Sequence, residues 1–107
     1  MNTTYQLVQT AVTAAKAAET SFIAKHGEPW FCGFAWAEVF VDRVNSPEAK
    51  ELIATGFKKS QKAKCLYFWN PGGSMTQSMD VKEEGTRAFV QVLKDAGLRA
   101  YACSRAD

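Results

Sequence analysis

The chain has 107 residues, 47% of them apolar and 22% charged, and 13 Lys and Arg against 11 Asp and Glu leave a formal net charge of +2. That describes one domain with one core, and a chain of this size buries roughly two-thirds of the surface its unfolded form exposes. Disorder, collagen and coiled-coil arrays are excluded, and the charge surplus is too small to indicate nucleic acid by itself.

The longest stretch without Asp, Glu, Lys or Arg, Met1 to Ala15, is broken by Asn2, Thr3, Thr4, Gln6, Gln9, Thr10 and Thr13, so it reads as neither a membrane span nor a signal peptide. Cys32, Cys65 and Cys103 are odd in number and lack C-x-x-C spacing, against both a disulfide scaffold and a zinc ribbon. No metal or other cofactor is expected, and a reducing, cytoplasmic setting follows. The basic charge is local, with Lys58, Lys59, Lys62 and Lys64 falling within one short stretch.

Tyr5, Val8, Val12, Ala15, Ala18 and Phe22 recur at helical spacing, which predicts an amphipathic helix over residues 3–26, capped by Asn2 or Thr3 and stopped by Gly27 before Pro29. Phe34 to Arg43 is dominated by aromatic and β-branched residues and predicts a strand, although Trp36, Val39, Phe40 and Val44 also fit a helix. Ser46-Pro47-Glu48 opens a second helix with an N-cap, a proline at the first helical position and an acid near the positive end of the dipole; Gly56 ends it. A lysine-rich turn precedes a second strand, Lys64 to Trp69, closed by Asn70-Pro71-Gly72-Gly73. Asp80-Val81-Lys82-Glu83 has capping-box spacing ahead of a third helix buried through Ala88, Phe89, Val92, Leu93 and Ala96; Gly97 stops it, and Leu98 to Ser104 is the last strand. The order α-β-α-β-α-β predicts an α/β fold, a small three-stranded, largely parallel or mixed sheet packed with three helices. It reads as a single domain over residues 1–107, with an α/β core from residue 30 onward.

Sorting the strands by alternation gives one row of small apolar residues and a second row with Phe34, Trp36, Glu38, Phe40, Asp42, Cys65, Tyr67, Trp69, Arg99, Tyr101, Cys103 and Arg105. The simpler expectation is that the second and third helices cover the small row while the first covers the aromatic one. The alternative leaves part of the aromatic face open as an interaction surface.

A parallel sheet would gather Asp42, Arg43 and Asn45 with Trp69, Asn70, Gly72, Gly73, Gln77 and Ser78 and with Ser104, Arg105 and Asp107 at the strand ends, where ligands collect. No phosphate-binding glycine motif accompanies them, and Asp80 opposes an anion there. Cys32-Gly33-Phe34-Ala35-Trp36 resembles the nucleophile segment of papain-like proteases over five residues, but the one histidine, His26, precedes it, so the catalytic order is not met. The segments Cys32 to Trp36, Phe68-Trp69-Asn70-Pro71-Gly72, Gln77-Ser78 and Ala100 to Asp107 together resemble a family of small uncharacterised proteins encoded by tailed bacteriophages, over residues 30–107. The resemblance implies a protein made in the cytoplasm of an infected bacterium, acting on a host or defence component, and it carries no activity.

The leading expectation is a non-enzymatic module that binds a protein partner, or a second copy of itself, through the aromatic face or strand-end edge, with Trp36, Trp69, Asn70, Gln77, Ser78, Tyr101, Ser104 and Arg105 as binding residues and no catalytic residue. One alternative is a single-stranded nucleic-acid binder using Lys58, Lys59, Lys62 and Lys64 with the aromatics; Glu38 and Asp42 speak against it by repelling phosphate. The other is a nucleotide or anion site, or a small enzyme, at Asn70 to Ser78. No membrane partner is expected.

Overall fold

The computed structural model describes residues 3–107. Helix α1 (Thr3–His26) is followed by β1 (Gly33–Phe40), α2 (Pro47–Ala54), β2 (Lys58–Lys59), β3 (Cys65–Trp69), α3 (Met79–Asp95) and β4 (Arg99–Ala106). Local chemistry sets most boundaries as read from sequence. Gly27, Gly56 and Gly97 all take positive φ just beyond helix ends, the left-handed stop that glycine accepts without strain. The hydroxyl of Ser46 accepts the Ala49 N–H at 3.2 Å to cap α2. At α3 the cap is Ser78, which accepts from Val81 N–H, and Asp80 lies inside the first turn. The capping residue is therefore two positions earlier than the Asp80 box predicts.

The sheet differs from the expected one. It has four strands in the order β2-β3-β1-β4, and every neighbouring pair is antiparallel. β1 pairs with β3 on one side and β4 on the other, so β3 and β4 run in the same direction without meeting. Alternating elements signal a helix joining two like-directed strands, but not whether those strands are neighbours. Here α3 steps over β1. The extra strand is the two-residue edge β2, which lies within the stretch read as a lysine-rich turn. From β1 onward, the order and strand directions are those of the split βαβ, or ferredoxin-like, arrangement.

Packing corrects the second expectation. Val8, Ala11 and Ala15 of α1 share one buried cluster with Leu52 of α2, Phe89 and Leu93 of α3, and Ala37, Val39 and Leu66 from the small-residue face of the sheet. Part-buried Phe68 packs against this cluster between Phe57 and Phe89, with ring centroids 5.1 Å apart for Phe57–Phe68 and 4.9 Å for Phe68–Phe89. α1 packs chiefly along α3 instead of crossing the aromatic face. α2 has only eight residues, about 12 Å of helix, and α1 lies on the same side of the sheet, against α3 and α2. No helix among the described residues covers the aromatic side.

The buried stripe of α1 ends on a carboxylate. Glu19 stands one turn beyond Ala15 and is 4% exposed. Its carboxyl group lies against Gly72 and Gly85, where an added Cβ would overlap it, and Oε2 has no hydrogen-bond partner. Burial pushes its pKa up to about 7, against the opposing pull of Lys82. The folded state thus keeps this proton at pH values where the unfolded chain has lost it. The stability Glu19 contributes is complete below about pH 4.5 and is lost as pH rises to about 7, after which it levels. Glu19→Gln should abolish this decline and raise unfolding stability at pH 8 by about 1–3 kcal/mol, measured by urea denaturation across pH.

Candidate functional site

Residues directly opposite one another in antiparallel strands share a face, so the register draws the open surface row by row. Trp69 of β3 faces Trp36 of β1, which faces Cys103 of β4. The next row runs Lys58, Tyr67, Glu38, Tyr101 across all four strands. Phe34 faces Arg105. The two tryptophan rings are stacked, with centroids 5.6 Å apart and planes at 13°, and Phe34 extends the strip at 5.6 Å from Trp69. Trp69 remains 50% exposed.

Glu38 sits in the middle of this face and is only 5% exposed. The Trp36 indole Nε1–H donates to its Oε2 at 3.0 Å, and the Lys62 ammonium donates to Oε1 at 2.9 Å and Oε2 at 3.2 Å. Burial alone pushes the Glu38 carboxyl up; the indole and ammonium hydrogen bonds, helped by the Cys103 thiol, outweigh it and hold the group below its ordinary value. The same bonds raise the Lys62 ammonium. Glu38 is therefore an anchored carboxylate that fixes the Trp36 ring and recruits a lysine over the sheet. Burial, then the Glu38 charge, pushes the thiols of Cys65 and Cys103 upward.

An open groove of about 960 Å³ follows from this arrangement, lined by Trp36, Tyr67 and Trp69 and, on the β2 side, by Lys58, Lys59 and Lys62; Lys59, opposite Leu66, belongs to the helical face and reaches the groove from the sheet edge. Arg105 lies at its rim, with its guanidinium 5.7 Å from the Phe34 ring centre.

The structure brings together Trp36, Trp69, Arg105, Lys58, Lys59 and Lys62. The other residues singled out from sequence lie elsewhere. Lys64 stands in a left-handed conformation, φ 57°, and its carbonyl accepts the Val41 N–H. Tyr101 is on the open face but packs edge-on against Phe40 at 5.7 Å. Asn70, also left-handed at φ 48°, shapes its loop by donating from Nδ2 to the Ser74 carbonyl at 3.1 Å. Gln77 accepts from the Cys32 thiol at 3.7 Å. Ser78 is the buried cap of α3, and the Ser104 hydroxyl, on the helical face, donates to Glu83.

The expected strand-end cluster is split by the antiparallel sheet. Asp42, just past β1, pairs with Arg99 at the start of β4 at 3.2 Å. The Asn70 loop and Arg105 lie at the opposite end, where the Asp107 N–H donates to the Cys32 carbonyl. His26 packs against Phe22, at 4.8 Å between ring centres, and the Cys32 thiol donates to the Trp30 carbonyl at 3.4 Å. Among the described residues no cluster of His, Cys, Asp or Glu is placed to hold a metal ion, and no helix is long and apolar enough to cross a membrane.

What the sequence reading missed is the role of Glu38 and the contribution of Tyr67. The available signal was alternation: Glu38 is the one acid amid aromatic neighbours within β1, two residues from Trp36 and Phe40. No family model, curated protein or solved structure matches this chain.

Because the folded pKa of Glu38 is depressed, its contribution to stability is present above the ordinary carboxylate value and disappears as pH falls through the folded one. Lys62→Met should raise the Glu38 pKa, read by carboxyl carbon NMR titration, and move the acid-unfolding midpoint to higher pH.

Proposed function

We infer that the open sheet face binds single-stranded nucleic acid, with bases stacking beside the Trp36–Trp69 pair and the phosphate backbone following Lys58 and Lys59. The observation that carries this reading is the stacked tryptophan pair, Trp69 half-exposed and Trp36 part-buried beneath the same groove, which is also lined by three lysines. Aromatic platforms beside a positive groove hold unpaired bases without regard to sequence, since every base presents a π face. Four-stranded sheets with exposed aromatics use the same physics in RNA recognition; the similarity invoked is of surface chemistry, and the fold alone argues no function. Of the two acids that oppose this reading in the sequence, Glu38 is buried against Lys62, and Asp42 does not line the groove but lies past the far end of β1, beside Arg99.

Short oligonucleotides should quench tryptophan fluorescence, with affinity falling steeply as salt rises. Trp69→Ala should weaken binding about tenfold, the loss of one stacked base at roughly 1–3 kcal/mol. Lys58→Ala/Lys59→Ala should reduce the slope of log affinity against log salt by about 1.4, near 0.7 for each phosphate left without its lysine. Absence of quenching at low salt would overturn the reading.

A protein partner is the second reading, favoured by Trp30 and Met75, which are 95% and 96% exposed. They sit on adjoining loops, those beside the Cys32–Ser78 bridge, and large exposed apolar side chains are typical interface anchors. Retention of partner binding by Trp69→Ala, with loss in Trp30→Ala/Met75→Ala, would identify that surface instead.

A further inference from the structure

The sheet has two edges of very different kinds. β2 contributes two residues, Lys58–Lys59. β4 contributes eight, pairs with β1 in unbroken register from Arg99 to Ala106, and among the described residues has no strand on its outer side. It carries no proline and no bulge, two of the devices that blunt an edge, and its charges are confined to Arg99 and Arg105 near its two ends. Ala102 is exposed although it belongs to the helical face, and a shallow cleft of about 160 Å³ lies beside it, bordered by Glu83, Arg87 and Ser104. An edge of this length, with its helical side incompletely covered, presents a row of unpaired backbone donors and acceptors.

The sequence of β4 also restricts what pairs with it. Consider a second copy, antiparallel, with the helical layers of both copies on the same side of the joined sheet. Opposed residues must then share a face, so one residue of β4 lies opposite its own equivalent. Centred on Ala102, the pairing sets Arg99 of one copy against Arg105 of the other, and like charges directly opposite are destabilising. Centred on Tyr101 or Ser104, it leaves residues at one end of the strand without partners. Centred on Cys103, the whole strand is used: Arg99 faces Asp107, Tyr101 faces Arg105, and both pairings occur twice.

We propose that β4 is the contact edge of a homodimer, in which two copies pair antiparallel about Cys103 to form a continuous eight-stranded sheet with all helices on one side. The two aromatic grooves then lie on the same open surface. Arg99 also contacts Asp42 at 3.2 Å within its own copy, so it stands between two carboxylates in the dimer. The proposal is independent of what the grooves bind.

The test is sedimentation of the full chain over a wide concentration range. The wild type should show a reversible monomer–dimer equilibrium. Asp107→Arg places two guanidinium groups opposite one another and should weaken association at least tenfold. Arg99→Asp should do the same, and the double exchange Arg99→Asp/Asp107→Arg should restore it, which separates pairing from any local loss of folding. In a Cys32→Ser background, a short bismaleimide should join two copies through Cys103, and Cys103→Ser should remove the cross-link. A monomer at every attainable concentration, or association unchanged by either single exchange, would overturn the proposal.

Discussion

β1 is hydrogen-bonded on both sides, between β3 and β4, and the demands on its two faces are opposite. Toward the helices it presents Ala35, Ala37 and Val39, all at most 1% exposed; small side chains there let the helical layer approach closely. Toward the other side it presents Phe34, Trp36, Glu38 and Phe40, which no helix among the described residues covers. The central strand thereby fixes the strand directions, the stepping of α3 over its neighbour, and the single surface on which aromatics and charges accumulate. A register slip of one residue would exchange the two rows and bury Glu38 in the aliphatic core.

Two carboxylates are buried by this architecture and they respond to it in opposite ways. Glu19 enters the helical layer, where its Oε2 has no partner and burial holds its pKa near 7. Glu38 enters the open face, where an indole and an ammonium reach it and hold its pKa low. The difference lies in the partners within reach, since desolvation acts on both in the same direction. Glu19 thus favours the folded state toward acid pH, whereas Glu38 favours it above the ordinary carboxylate pKa. A buried carboxylate destabilises or organises according to how many donors its surroundings supply.

Helix ends were legible in the sequence because they are local: Gly27, Ser46 with Pro47, Gly56 and Gly97 each act within a turn of their own position. The division of the strands into a small row and an aromatic row was legible for the same reason, since alternation is a property of the backbone. Strand order was not. Whether α3 joins neighbouring strands or steps over β1 depends on edge-to-edge competition among distant segments, and no residue near α3 encodes it. The side taken by α1 was equally hidden, because it depends on its packing against α3, a segment far away in the chain. The misplaced strand-end cluster followed directly from the wrong strand directions: reversing β1 carries Asp42 to the end opposite Asn70. Glu19 was passed over although it continues the stripe Val8, Ala11, Ala15 at helical spacing. A carboxylate on an apolar stripe was the available sign.

The electrostatics of the groove turn on whether Glu38 is seen as a lone charge or as half of a pair. A bare carboxylate about 7 Å from a phosphate costs roughly 0.6 kcal/mol at the dielectric of water and about 2.4 kcal/mol at an effective value near 20. That is comparable to the gain from stacking one base. With the Lys62 ammonium 2.9 Å from Oε1, the two charges largely cancel at that distance, and the carboxylate's remaining effect is to hold the Trp36 ring parallel to Trp69. Lys58, Lys59 and Arg105 then set the sign of the groove. The acid that argues against an anionic ligand when read along the chain becomes, once folded, the group that orients the platform such a ligand would meet.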